Sequence, residues 1–164
     1  GMPREELKSR LKLNTRQYNV VMKKIFSDSA VKEHLGLLSL PDHQIKFTSE
    51  QQKKIDQLMH LFQNNPNSPP SVKECQGFAG EDVYQALIDL GELVQLSTDV
   101  VYTKDEYENI RKTIISLLTK SNTITVAQVR DQFGTSRKYA LAILEYLDSI
   151  GITIREADFR RLKV

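Results

Sequence analysis

Two stretches of this chain carry the same text. Ile45–Ile55 reads IKFTSEQQKKI and Val100–Ile110 reads VVYTKDEYENI, about 55 residues apart. Each runs apolar, aromatic, threonine, then acidic, then helical. Thr48 with Gln51 and Thr103 with Glu106 fit a capping box, in which a hydroxyl and the side chain three residues on satisfy reciprocal orphan N–H groups. The pattern predicts two helices, each starting directly after a short strand. A repeat of that length predicts serial modules.

The text after each start also matches. Beyond the helix from Thr103 come SNTITVAQVRDQFG, a helix over 133–151 and then ITIREADFRRLKV. In that helix Ala140, Ile143, Leu144, Leu147 and Ile150 recur at helical period. Beyond the helix from Thr48 come a turn-rich NNPNSPPSVKECQGFAG, a helix in EDVYQALIDLGE, and two strands around Ser97-Thr98-Asp99. Gly91 and Gly151 suit the left-handed position that ends a helix. Three helices and a terminal hairpin make a winged helix, the hairpin being the wing and helix three the usual reading helix. The expected fold is mainly α with small β-hairpin wings, in tandem winged-helix modules of about 55–60 residues. The expected domains are 1–47, 48–102 and 103–164. The first reads as truncated, with PREELKSRL as helix two, TRQYNVVMKKIFSDS as helix three and LLSLPDHQIKF as the wing. Gly1 ahead of Met2 reads as an expression scar, so the chain is expected to be a piece of something longer.

Charge separates the modules where the total of +2 does not. Residues 1–47 hold nine Lys/Arg against five Asp/Glu, a balance of +4. Residues 48–102 hold Lys53, Lys54 and Lys73 against eight acids, and residues 103–164 hold eleven cations against eight acids. A middle module at −5 is a poor polyanion binder, because phosphate contacts supply most of such affinity. It reads as a spacer. The last module has the better-placed cations.

Helix three of that module opens Thr135-Ser136-Arg137-Lys138-Tyr139, which puts two cations and an aromatic at the positive end of a helix dipole. The wing adds Arg155, Arg160 and Arg161, though strand alternation separates Arg160 from Arg161. Guanidinium groups suit phosphate or a guanine edge, and Tyr139 or Phe159 can stack an unpaired base. The same residues also fit a blander account, with the cations solvated and Tyr139 packed beside Ala140. Many winged helices bind proteins, so the fold alone does not choose.

Ile124–Leu162 resembles the C-terminal winged helix of the bacterial selenocysteine-specific elongation factor. The matching features are the run V-A-Q-x-R-D-x-F-G-T-S-R-K-Y-A, the helix end L-E-Y-L-D and the wing R-x-x-D-x-R. Upstream, MPREELKSRL, LPDHQIKFTSEQQ and SPPSVKE resemble earlier parts of that factor's C-terminal extension, in the same order. The resemblance implies an RNA-binding fragment. Its last winged helix would grip a selenocysteine insertion hairpin in messenger RNA, tethering the factor and its selenocysteyl-tRNA beside an in-frame UGA. It implies an RNA surface of Ser136, Arg137, Lys138, Tyr139, Arg155, Asp158, Arg160 and Arg161, with Arg130 a weaker member that can pair with Asp131. Asp158 is expected to orient an arginine or shape the wing turn. This chain departs from the family at Ala157, where the wing usually has glycine, and at Ala142, where proline is common. Alanine tolerates positive φ poorly, so the wing turn is expected to differ.

Other functions find little support. No G-x-x-x-x-G-K-[ST] sequence is present, so GTP and magnesium would belong to a GTPase domain elsewhere in the parent factor. His34, His43 and His60 stand apart from one another and from Cys75, without metal-ligand spacing. Ser136 has no histidine base nearby. The chain is expected not to be an enzyme. A lone cysteine fits a reducing compartment, and no run of eighteen apolar residues exists to span a membrane. The expected setting is cytoplasmic, as a monomer, meeting the ribosome through the parent factor. Two rivals stay open: a tandem winged-helix regulator of duplex DNA, and a protein-interaction module.

Overall fold

Capping hydroxyls and helix-ending glycines punctuate the chain as the sequence predicts. A computed structural model describes residues 1–34 and 36–163, which form two compact units, 1–46 and 47–164.

In the first unit, β1 (Met2–Pro3), α1 (Arg4–Leu11), α2 (Thr15–Ser27), β2 (Lys32–His34) and β3 (Leu37–Ser39) follow in order. The strands form an antiparallel sheet in the order β1-β3-β2. Tyr18, Met22 and Leu38 form its small buried core, and the Tyr18 hydroxyl donates to Arg4 O at 3.0 Å. Asn14 caps α2 through a full capping box with Gln17. The expected wing over 37–47 is corrected. The hairpin is β2–β3, and residues 40–48 form neither helix nor strand. Lys32 Nζ ties that segment down instead, donating to Pro41 O at 2.7 Å and His43 O at 3.1 Å.

The second unit begins with α3 (Ser49–Asn64), α4 (Val72–Ala79) and α5 (Glu81–Asp89), then β4 (Leu93–Gln95) and β5 (Val101–Thr103). It continues with α6 (Lys104–Ser121), β6 (Ile124–Thr125), α7 (Val126–Phe133), α8 (Arg137–Ser149), β7 (Thr153–Glu156) and β8 (Phe159–Leu162). Each half holds three helices and a hairpin in the order the repeat predicts, and both halves lie in the one compact unit. Two glycines end helices by the same device. Gly91 and Gly151 both sit at φ +74°, and each lets the following N–H reach back, Glu92 to Leu87 O and Ile152 to Leu147 O.

The capping boxes are only partly as expected. Thr48 and Gln51 bond reciprocally, as do Ser71 with Glu74 and Thr125 with Gln128. Thr103 accepts from Glu106 N but receives no answering bond, since it is still in the β5 ladder opposite Leu93. The strand expected at 45–47 does not form.

One strand serves two cores. Val101 is fully buried with Ile55, Leu58, Val83 and Leu87, while its neighbours Val100 and Tyr102 are buried with Ile110, Ile114, Ile143 and Leu147. Period-two alternation thus sends successive residues of β5 into opposite modules. Leu96 joins the second of these cores from the same hairpin.

Candidate nucleic-acid interface

Glycine brings α7 to an end and serine starts α8. Gly134 closes α7 at φ +56°, and Ser136 takes the N-cap position of α8 in an extended conformation. The Ser136 side chain makes no capping hydrogen bond, so the orphan N–H groups at the head of this thirteen-residue helix keep their capacity for an outside acceptor. Arg137 is exposed there and takes part in no ion pair among the described residues.

The other side chains of the helix head turn inward to the middle module. Thr135 Oγ1 donates to Asn67 O. Lys138 Nζ bonds Asp99 Oδ2 and lies 5.5 Å from the centre of the Tyr139 ring. The Asp99 carboxylate raises the Lys138 pKa above its ordinary value. Tyr139 is half-buried, with its hydroxyl donating to Pro69 O at 3.1 Å and its ring edge-on to Tyr102 at 6.4 Å. Burial likewise pushes the Tyr102 phenol well above its ordinary value.

The wing divides its arginines. Thr153 and Leu162, then Arg155 and Arg160, face each other across β7 and β8. Arg160 is 1 % exposed, against the expectation that it lines an RNA surface. Its Nε donates to Asp148 Oδ2 at 3.2 Å, and Asp148 Oδ1 accepts the Thr153 hydroxyl at 2.6 Å. It is a buried structural cation. Like charges directly opposite on a sheet repel, and Asp148 neutralises one of this Arg155–Arg160 pair. Arg155 is exposed at the tip, its Nε held by Ala157 O at 3.1 Å. Arg161 is half-exposed on the other face and pairs with Glu156. Ala157 takes φ +52° in the two-residue turn, a backbone angle that suits glycine better. Asp158 is exposed and joins none of the ion pairs among the described residues. Arg130 pairs with Asp131, at 2.6 Å.

The structure therefore brings Ser136 and Arg137 to the exposed helix head and Arg155, Asp158 and Arg161 to the exposed wing. It turns Lys138 and Tyr139 to the neighbouring module and Arg160 to the core. Sequence reasoning missed Asp148, Thr153, Asn67, Pro69 and Asp99, which explain that division. One signal was in the text: Pro69-Pro70 has no N–H of its own, so its carbonyls sit in a segment short of local donors.

Among the described residues no group of three His, Cys, Asp or Glu is placed to hold a metal, and no helix is long and apolar enough to cross a membrane. The His34 side chain lies outside the described residues. Cys75 is buried, which pushes its thiol up to about 12.

Residues 116–162 match the family described as elongation factor SelB, winged helix. The chain is 28% identical to the selenocysteine-specific elongation factor of Escherichia coli K12, over 88% of this chain and 24% of that protein. It is 25% identical to that of Desulfomicrobium baculatum, over 99% of this chain and 27% of the other. The chain thus spans about a quarter of the length of these curated relatives. Among solved structures, the mRNA-binding domain of Escherichia coli elongation factor SelB, solved in complex with SECIS RNA, is 27% identical with a TM-score of 0.58. The match covers 72% of this chain and all of that domain. A bacterial selenocysteine-specific elongation factor shares the fold over the whole chain, at 22% identity and a TM-score of 0.55. The chain is thus similar to selenocysteine-specific elongation factors over about a quarter of their length, and its residues 116–162 match the winged helix of elongation factor SelB.

Proposed function

We propose that this chain binds a hairpin of messenger RNA with the tip of its last module. In a longer factor of the relatives' kind, that grip tethers the factor near an in-frame UGA codon. The observation that carries this reading is the match along the full length of a domain solved with its RNA. The geometry adds support. Side chains cannot enter the deep major groove of A-form RNA, so recognition falls to loop bases and stem phosphates, which suits a narrow tip. Here the tip combines unpaired helix-head N–H groups, Ser136 and Arg137 with Arg155, Asp158 and Arg161 of the wing. Arg130, held by Asp131, is a peripheral contributor. The −5 middle module orients this tip and takes no part in phosphate binding.

GTP and magnesium chemistry, and contact with the ribosome, belong on this reading to other parts of such a factor. The chain acts as a cytoplasmic monomer and performs no catalysis itself. The test compares single substitutions in one salt. Arg137→Ala weakens hairpin affinity by about 1–3 kcal/mol, whereas Lys53→Ala on α3 leaves it unchanged. Equal losses at both positions would remove the assignment of the tip.

A further inference from the structure

Lys138 and Tyr139 belong to the helix head that reads nucleic acid in a winged helix, yet they are engaged within the protein. Three kinds of contact converge there from the middle module: the carbonyls of Asn67 and Pro69, the Asp99 carboxylate, and the ring of Tyr102. Ser68 Oγ adds a long contact of 3.4 Å to the Tyr139 hydroxyl. An exposed ion pair contributes little alone, and Lys138 and Asp99 are each about half exposed. The aromatic edge contact and the hydroxyl bonds fix distance and angle more firmly, because they restrict direction. Arg137, one residue earlier and about 100° around the helix, is left facing out.

We propose that Thr135, Lys138 and Tyr139 are positioning residues, forming a clamp that holds the RNA-binding tip in one direction on the acidic module. The clamp explains why an acidic module stands beside a polyanion-binding one. Asp99 withholds Lys138 from the ligand and assigns it to orientation. Its consequence for RNA rests on the function proposed above, while its geometry stands without it.

Two measurements decide the matter separately. In the RNA-free protein, spin labels on Lys53→Cys in α3 and Glu145→Cys in α8 report the direction of one module on the other. Both sites are exposed, and buried Cys75, its thiol pushed up to about 12, stays unlabelled. A narrow distance distribution is expected. It broadens in Lys138→Asp and in Tyr139→Phe, and narrows again when Lys138→Asp is combined with Asp99→Lys. Tyr139→Phe keeps the ring, so broadening there is not a consequence of unfolding. A distribution unmoved by these changes would overturn the clamp.

The second measurement is hairpin affinity in Asp99→Asn. A clamp predicts several-fold weaker binding with the salt slope unchanged. If Lys138 is instead a phosphate contact masked by Asp99, binding tightens and the slope steepens by about one, which would also overturn the clamp. Should the unaltered protein show no hairpin preference, the RNA reading fails, and the distance measurement still decides the clamp.

Discussion

Arg160 and Arg137 carry the same group in opposite surroundings, one buried and one exposed. Arg160 is held in the core by Asp148, so removing that partner leaves a buried cation uncompensated. Asp148→Ala is expected to lower stability by about 3–5 kcal/mol in urea unfolding. Arg137→Ala should leave the unfolding midpoint unchanged and affect only binding. Ala157→Gly relieves a left-handed backbone angle at the wing turn and is expected to raise stability by about 1 kcal/mol. Period-two alternation had already separated Arg160 from Arg161 in the sequence. Which of the two is buried was not legible, because the answer is a carboxylate twelve residues away on α8. The intramolecular partners of Lys138 and Tyr139 were not legible for the same reason. Their partners lie about 40 and 70 residues upstream, and no local pattern links them.

Elements with strong local chemistry could be read directly. The capping boxes at Thr48 and the helix ends at Gly91 and Gly151 need only neighbours in sequence, and they form where expected. The wing of the first unit was misplaced because β2 is Lys-Glu-His, too polar to read as a strand, while Pro41 and His43 in the expected wing are held through their carbonyls by Lys32. The cap of α4 gives a pH-dependent check. Hydrogen bonds from Ser71 lower the Glu74 pKa, so its contribution is complete above the ordinary carboxyl range and is lost as pH falls through the lowered folded value. Ser71→Ala should cost about 1 kcal/mol at neutral pH, and less in acid, as seen by thermal unfolding at both pH values.

At the scale of the whole molecule, the repeat marks two successive sets of three helices and a hairpin but not how they are joined. Alternation along β5 places Val101 in one core and Tyr102 in the other, so residues 47–164 are expected to unfold as one cooperative transition. Tyr102→Ala should lower that single transition by about 3–5 kcal/mol without splitting it, as followed by calorimetry. Charge differs between the two halves, with residues 48–102 at −5 and residues 103–164 at +3, as the proposed division between support and RNA-binding tip requires. The most direct test of this account is a binding titration across a series of salt concentrations. Its ligands are a hairpin taken from just after an in-frame UGA in the source genome, a loop-scrambled version, and duplex DNA. The account predicts preference for the intact hairpin, with a log–log salt slope of about −3 to −4 from four or five phosphates. Equal weak binding to all three would contradict it.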